Sequence, residues 1–365
     1  MNSWQHNKLH IEKIKIENLR NITQAEISPI SHINIIVGSN GAGKTTILES
    51  IYLLARARSF RQQKTGHLIR EGTEQLSLFS TLRTAAHTRH KIGLQKTAKS
   101  TVIRKDGRNL KKLSDLAKTM PLTIITPNIQ RIIEEDPKHR RRLLNWGMFH
   151  VEHEYGELAN RYKKTLIQRN NALRGSNDQT KVWDRQLIQL GTEIDRRMSA
   201  YTKTWNETLN GMIETTNLIK PISLKIKQGW REEHSFAEAL ERNEKVDKER
   251  GFTGCGPHRS DLRILQEGKP VKNIFSRGEA KIAAAIMLLS QTKMIEERSG
   301  ESPVLLVDDL HSELDSERYR KLLNLIAELN LQSFVTTLRY DKSESVLAKD
   351  AYQLFHVEHG DIFSQ

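Results

Sequence analysis

The 365-residue sequence contains a single cysteine, Cys255. That excludes an intrachain disulfide and any zinc site built from several cysteines, and it suits a reducing, cytosolic compartment. Long apolar runs are missing too: no stretch approaches the roughly 18 residues of a membrane-spanning helix. The N-terminus, Met1 to Lys8, is polar and carries no apolar signal core. Apolar residues make up 37% of the chain and mean hydropathy is −0.59, as expected of a soluble protein with much charged surface. The length is sufficient for two or more cores.

What the sequence does have is positive charge and a glycine-rich turn. The formal net charge is +14 and the pI is near 9.7. This balance favours a polyanionic partner, with acidic membrane surface as the competitor to nucleic acid. Ile33-Asn34-Ile35-Ile36-Val37 reads as a buried strand. It stops at Gly38-Ser39-Asn40-Gly41-Ala42-Gly43-Lys44-Thr45, after which Ile47, Leu48, Ile51 and Leu54 are spaced as one face of a helix. Strand, loop and helix together are the context that a G-x-x-x-x-G-K-[ST] phosphate loop requires, and they set aside a chance glycine turn. Gly38, Gly41 and Gly43 let the backbone N–H groups of Ser39, Asn40, Ala42 and their neighbours through Thr46 curl around phosphate oxygens. The helix N-terminus adds a positive dipole end. Lys44 is expected to reach the β- and γ-phosphates, and the Thr45 hydroxyl to take a place on Mg²⁺.

In chain order, Leu9, Ile11, Ile14 and Ile16 alternate as a strand. Asn18-Leu19-Arg20-Asn21 reads as a turn before a second strand near Ala25-Glu26-Ile27. Arg56, Arg58, Arg61 and Lys64 surround Phe60, a pattern that suits nucleic acid and equally describes a solvated face. Residues 76–83 and 90–104 read as strands of an antiparallel sheet, with a hairpin turn at Asp106-Gly107. Leu122-Thr123-Ile124-Ile125-Thr126 is a further buried strand, closed by Pro127. Lys138-His139-Arg140-Arg141-Arg142 opens a long region of helical spacing. Leu158, Tyr162 and Leu166 lie before a polar break at Gly175-Ser176-Asn177-Asp178, and Trp183, Leu187, Leu190, Ile194, Met198, Tyr201, Trp205, Leu209 and Met212 lie after it. The reading is two antiparallel helices forming an arm, their aromatic and methionine stripe being core packing. A strand resumes at Ile222–Ile226, and Gly254-Cys255-Gly256-Pro257-His258-Arg259 turns into another. Phe275-Ser276-Arg277-Gly278-Glu279 then opens an apolar helix through Ile282, Ile286, Leu289 and Met294.

Pro303-Val304-Leu305-Leu306-Val307 is a continuous apolar run ending in Asp308-Asp309. Two carboxylates at the carboxyl end of a buried parallel strand sit where open α/β sheets bind ligands. Asp308 is expected to hold Mg²⁺ and Asp309 to orient or deprotonate the attacking water. His150 with His153 and His356 with His359 have a spacing that tempts toward metal. The second pair falls in an expected strand, where residues three apart face opposite ways, so neither pair is assigned a metal.

The order phosphate loop, Ser-x-Gly signature, apolar-Asp-Asp, Ser312-Glu313-Leu314-Asp315 resembles the ABC-type ATPases, and within them the RecF family. Arg58-Ser59-Phe60-Arg61, Thr126-Pro127, Pro137 with Arg140-Arg141, Gln168-Arg169-Asn170 followed by Leu173, Gly256-Pro257-His258-Arg259 and Phe355-His356-Val357-Glu358 extend the likeness over nearly the whole chain. The resemblance implies an α/β ABC-ATPase head, a mixed phosphate-loop sheet plus an antiparallel β subdomain, with an inserted α-helical arm. Residues 1–136 are then the N-terminal part of the head, 137–220 the arm, and 221–365 the C-terminal part.

It further implies two heads closing around two ATP molecules. Each site takes Lys44 and Thr45 from one chain and Ser276 and Gly278 from the other, and Asp315 couples the sites across the interface. Lys44, Asp308 and Asp309 are the implied catalytic residues of a slow, switch-like, Mg²⁺-dependent ATPase. The implied partners are gapped DNA at single-strand/double-strand junctions, RecR, RecO and, through them, RecA, in the cytoplasm at the nucleoid. Arg58, Arg61, Arg140 and Arg141 are the candidate DNA contacts, while Arg259 is read as either a structural turn residue or a nucleotide or DNA contact. The chain departs from the family at Phe275 (usually Leu), Glu279 (usually Gln) and Asn145 (Asp in many relatives). A transporter nucleotide-binding subunit and a short SMC-like DNA organiser share the ATPase motifs. The first leaves the pI without an account, and the second needs longer coiled coils than residues 138–250 supply.

Overall fold

The structure, a computed structural model, describes residues 8–61, 67–152, 154–175, 180–310, 314–340, 347 and 351–364. In chain order the elements are β1 (His10–Leu19), β2 (Ile22–Ile27), β3 (Ile33–Val37), α1 (Lys44–Arg56), β4 (Gln75–Arg83), β5 (Arg89–Thr97), β6 (Thr101–Lys105), β7 (Arg108–Asn109), α2 (Leu113–Thr119) and β8 (Leu122–Ile125). Then come α3 (Arg131–Glu134), α4 (Pro137–Val151), α5 (Tyr155–Arg174), α6 (Thr180–Thr216), β9 (Ser223–Lys227), α7 (Phe236–Arg250), β10 (Asp261–Gln266), β11 (Lys269–Pro270) and α8 (Arg277–Ser299). The chain closes with β12 (Val304–Val307), α9 (Ser316–Glu328), β13 (Ser333–Thr337), β14 (Tyr352–Glu358) and β15 (Asp361–Ser364). They form two compact units, residues 1–129 with 295–365, and residues 130–294. Among the described residues no helix is long and apolar enough to cross a membrane.

Two sheets with different burial patterns build the first unit. One is antiparallel, in the order β2-β1-β4-β5-β6-β7. Its strand β4 buries every second residue, the signature of a sheet covered on one face. The other has the order β15-β14-β3-β13-β12-β8 and is parallel except for β15. Here β12 and β13 are buried at every position. The β1–β2 hairpin precedes the phosphate-loop strand in sequence but belongs to the antiparallel sheet. The segment 90–104 is two strands, because Thr97 turns the chain: its Oγ1 accepts from the N–H groups of Lys99 (3.2 Å) and Ser100 (3.0 Å). The Asp106-Gly107 turn closes β6 on β7, with φ values of 50° and 80° as a two-residue hairpin turn demands.

Helix α1 touches β1, β4 and β5 of one sheet and β13 of the other. The sequence pattern shows a single apolar face, but contact with both sheets buries the polar positions as well, Glu49 and Ser50 among them. Glu49 is held by ion pairing with Arg20 in the β1–β2 turn and by the Ser59 hydroxyl beyond the helix. A bulge in β1 between Ile11 and Lys13 frees the Ile11 peptide groups. The buried Gln332 amide takes up both, accepting from Ile11 N–H (2.7 Å) and donating to its carbonyl (2.9 Å). This amide ties the two sheets together.

In the second unit, α5 and α6 run antiparallel, as expected from the spacing. Their contacts match residue for residue in opposite directions: Arg169 with Asp184, Thr165 with Gln186, and Glu154 with Arg197. Arg169 is fully buried, its Nε donating to Asp184 (2.7 Å) and its Nη1 to Asp247 on α7 (2.8 Å) and Thr253 (2.8 Å). Removing Arg169 would leave the buried Asp247 without its cation, a loss of about 3–5 kcal/mol. Trp205 of α6 is buried and donates its indole N–H to Ser290 of α8 at 2.9 Å. Gly147 lets α4 approach, since a Cβ there would lie 2.1 Å from the Tyr201 hydroxyl. Strands β9, β10 and β11 form a three-stranded antiparallel sheet.

The Gly256-Pro257-His258-Arg259 turn packs on α5 through a histidine. His258 Nδ1 lies 2.8 Å from the Tyr162 hydroxyl and Nε2 lies 3.2 Å from the Thr253 carbonyl. The neutral ring satisfies both contacts, with Nε2–H donating and Nδ1 accepting. Burial, with Arg259, Arg141 and Arg169 nearby, pushes the ring from its ordinary 6.5 down to about 4. Between those two values the unfolded chain binds a proton that the folded chain refuses, so stability falls as pH drops through this window and is fully present above it. Urea melts should show the wild type losing on the order of 2 kcal/mol more than His258→Gln between pH 7 and pH 4.5.

Candidate functional site

The turn between β3 and α1 takes its shape from three glycines, each for its own reason. Gly41 and Gly43 adopt φ values of 81° and 123°, open to glycine and strained for other residues. Gly38 is needed for space: a Cβ would stand 2.4 Å from the carbonyl oxygen of Val357 in β14. The loop is also braced from outside. Asn21, in the β1–β2 turn, donates to the Ala42 carbonyl (3.0 Å) and accepts from the Thr46 hydroxyl (3.1 Å). Gly360, in the β14–β15 turn, donates its N–H to the same Ala42 carbonyl at 2.9 Å. Lys44 is 7% exposed. Its Nζ donates to the carbonyls of Gly38 (2.6 Å) and Ser39 (2.9 Å), so the ammonium is held across the mouth of the loop.

β3 and β12 are not neighbours; β13 lies between them, which puts their carboxyl ends about 10 Å apart. Thr45, in the first turn of α1, spans that gap, its Oγ1 donating to Asp308 Oδ1 at 2.9 Å. Thr336 of β13 donates to the same oxygen at 3.0 Å and accepts from Asp309 N–H at 2.9 Å. Burial raises the Asp308 carboxyl above its ordinary range, against the lowering effect of the Thr45 and Thr336 hydrogen bonds and of Arg61. A buried carboxylate ringed by hydroxyl oxygens is a donor set suited to a hard divalent cation. Asp309 has φ 42°, a left-handed conformation that aspartate tolerates better than most residues. Lys44 is lowered by burial, and both Asp309 and Asp308 pull it back up, so all three charges share one site. Tyr319 of α9 adjoins it: burial first and Asp309 second push its hydroxyl to about 12.

The other expected residues lie elsewhere. Ser276 and Gly278 belong to the second unit, at the start of α8. The hydroxyl and N–H of Ser276 both donate to Glu279 Oε2, at 2.7 and 2.9 Å. Ser276 Oγ in turn accepts from the Glu279 N–H at 3.4 Å. This is a capping box, so the glutamate that departs from the family pattern caps its own helix. Asp315 is the N-cap of α9, accepting from Arg318 N–H at 2.9 Å, whereas Ser312 and Glu313 lie outside the described residues. Arg58 and Arg61 are exposed. Phe60, between them, packs edge-to-face on Tyr52. Arg56 turns inward to the Leu122 carbonyl (3.0 Å), and Lys64 lies outside the described residues.

Arg140 is a correction to the expected DNA set. It is buried, its Nε and Nη2 donating to Asp261 at 2.8 and 3.1 Å and its Nη1 to the Glu135 carbonyl at 2.7 Å. A guanidinium buried and paired in this way is poorly placed to meet phosphate. Arg141 is half-buried and donates to the Ser260 carbonyl at 2.7 Å. His150 packs between Trp146 and Phe149, His356 pairs with Glu358 (2.9 Å), and His153 lies outside the described residues. Asn21, Glu49 and Thr336 were not singled out from the sequence. Only the turn Asn18–Asn21 and the two threonines closing β13 hinted at them, because their roles depend on partners far along the chain.

Comparison with known proteins places the chain in a family. The model of the RecF/RecN/SMC N-terminal domain matches residues 10–362. The "DNA replication and repair protein RecF" of Pseudoalteromonas translucida is 34% identical over 366 aligned residues, covering 98% of this chain and 100% of that one. Its namesake from Shewanella oneidensis is 34% identical over 353, covering 96% and 98%. A solved structure of the recombination mediator protein RecF with ATP superposes with a TM-score of 0.85 at 26% identity and full coverage of both chains. An Smc head domain from Pyrococcus furiosus shares the fold, with a TM-score of 0.61 at 16% identity, 98% of this chain and 96% of that one being covered.

Thr336→Val keeps the shape of the side chain and removes its hydroxyl. It is expected to cost about 1–3 kcal/mol in urea melts, because Asp309 N–H loses its acceptor. It should also lower ATP turnover by about tenfold or more, as removing a preorganising donor does. Unchanged turnover would show that β13 plays no part in holding the acidic pair.

Proposed function

Because the chain belongs to the RecF family of DNA replication and repair proteins, we propose that it is an ATP-switched DNA-binding protein of gap repair. The observation that carries this reading is the Thr45–Asp308 hydrogen bond at the carboxyl ends of β3 and β12, with Lys44 beside it. In this reading residues 38–46 cradle the triphosphate of ATP through backbone N–H groups and the α1 dipole. Lys44 swings from the loop carbonyls to the β- and γ-phosphates. Thr45 and Asp308 hold Mg²⁺, which when bound neutralises phosphate charge. Asp309 orients the attacking water, or accepts its proton.

This site is half of a pair. Ser276, Gly278 and the α8 N-terminus of a second copy close over the γ-phosphate, Asp315 couples the sites, and hydrolysis reopens the dimer. The head comprises residues 1–136 and 221–365, and residues 137–220 form its arm. The exposed Arg58 and Arg61 are the candidate DNA contacts of the head, with Arg141 in a lesser role. Arg140 is left out because Asp261 already holds it. The dimer binds gapped DNA at single-strand/double-strand junctions and, with RecR and RecO, helps load RecA. Net charge of +14 supports a DNA partner, since each phosphate neutralised by Lys or Arg releases counterions. Cytoplasmic, nucleoid-associated localisation follows from the same reading.

Dimerisation and gapped-DNA binding should be measured with ATP and with ADP. ATP-dependent dimers that hold gapped duplex are expected, and both Lys44→Ala and Ser276→Arg should abolish them. Turnover should stay below about 10 per second, the median for enzymes. Monomers indifferent to ATP and to DNA would overturn the reading.

A further inference from the structure

Strands β9 and β10 present two very different faces. Leu224, Leu262 and Ile264 are buried on one face. The other carries Lys225, Lys227 and Arg263, all exposed. The register places Lys225 directly opposite Arg263, and like charges in that relation repel. Asp261 lies opposite Lys227, but its charge is already paired with that of Arg140. Among the described residues none of the three cations has an ion-pair partner. A row of uncompensated cations on a rigid sheet is the arrangement a polyanion stabilises.

The row does not end on open surface. Beyond Lys227 the chain enters a cleft of about 1290 Å³, lined among others by Trp230, Arg231, Arg242 and Arg259. Glu232 and Glu233 also line it, so with Lys227 included the cations outnumber the carboxylates four to two. The cleft wall is fixed at Gly229, where a Cβ would lie 1.9 Å from the Gly256 carbonyl oxygen. Trp230 is half-buried. It stacks on Phe236 at 4.8 Å and 26°, and its indole N–H donates to the His234 carbonyl at 3.1 Å. Arg259 lies over the Phe252 ring at 5.4 Å. A basic track beside a rigid aromatic ring is what an unpaired base and its backbone require, because stacking needs a π-face that a duplex keeps covered.

We propose that Lys225, Lys227 and Arg263 form a phosphate track leading a single strand of nucleic acid into the cleft beside Trp230. The proposal rests on the DNA-binding reading above and adds a second gripping surface within residues 130–294, apart from the arginines that follow the phosphate-loop helix in the sequence. The track belongs to a folded sheet in a single chain and needs neither ATP nor a second copy.

The full-length protein should be titrated without nucleotide, by fluorescence anisotropy, against a labelled oligothymidylate and a labelled duplex of equal length across a salt series. The triple variant Lys225→Gln/Lys227→Gln/Arg263→Gln should weaken single-strand binding by at least tenfold. It should also flatten the log–log salt slope by about 2, since each of three lost phosphate contacts contributes about 0.7. Trp230→Ala should weaken single-strand binding by about tenfold with the slope unchanged, and Trp230→Phe should restore most of it. Wild-type single-strand affinity and slope in the triple variant would overturn the track, as would an equal loss for duplex. Failure of the wild type to bind any DNA, with or without ATP, would overturn both this proposal and the DNA-binding reading. Unchanged nucleotide-free single-strand binding by the triple variant, with ATP-dependent binding of gapped DNA intact, would overturn the track alone.

Discussion

The first unit depends on one buried carboxylate. Asp308 stands at the end of a strand that is buried at every position, and Thr45 and Thr336 both donate to a single oxygen of it. Those two hydroxyls come from α1 and β13, so three separate elements converge on one atom. Left without such partners, a charge at that depth would neutralise itself or destabilise the fold. With them it is held in place, and its neighbour Asp309 adopts a left-handed backbone conformation.

The phosphate loop is rigid for a related reason. Its own residues supply the glycines, but its support comes from Asn21 in the β1–β2 turn and from Val357 and Gly360 near the C-terminus. Both ends of the chain thus converge on one turn. Preorganised N–H groups bind an anion without first having to be ordered. Glu49 extends the same logic, joining the Arg20 turn to Ser59, just before the exposed Arg61 whose charge acts on Asp308.

Positive charge in this chain is of two kinds, and composition does not separate them. Arg140 and Arg169 are interior residues bound to aspartates, where they order the second unit and contribute nothing to an external field. Lys225, Lys227 and Arg263 are exposed and opposed by like charge. The first kind would lose several kcal/mol if a partner were removed. The second would lose little, and it is the kind that a polyanion meets.

Much was legible in the residues alone. The G-x-x-x-x-G-K-T turn, the apolar run before Asp308 and the spacing of the α6 stripe each follow from local periodicity or from a loop whose chemistry is written in adjacent positions. The alternation of β4 and the Asp106-Gly107 turn are equally local. What tertiary structure alone decided involves residues distant in sequence. It set β13 between the two site strands, buried both faces of α1 by packing it on two sheets, and turned Arg140 inward onto Asp261. It also paired Lys225 with Arg263 across a strand boundary. A sequence specifies which side chains can make such contacts, whereas strand order and register determine which of them meet.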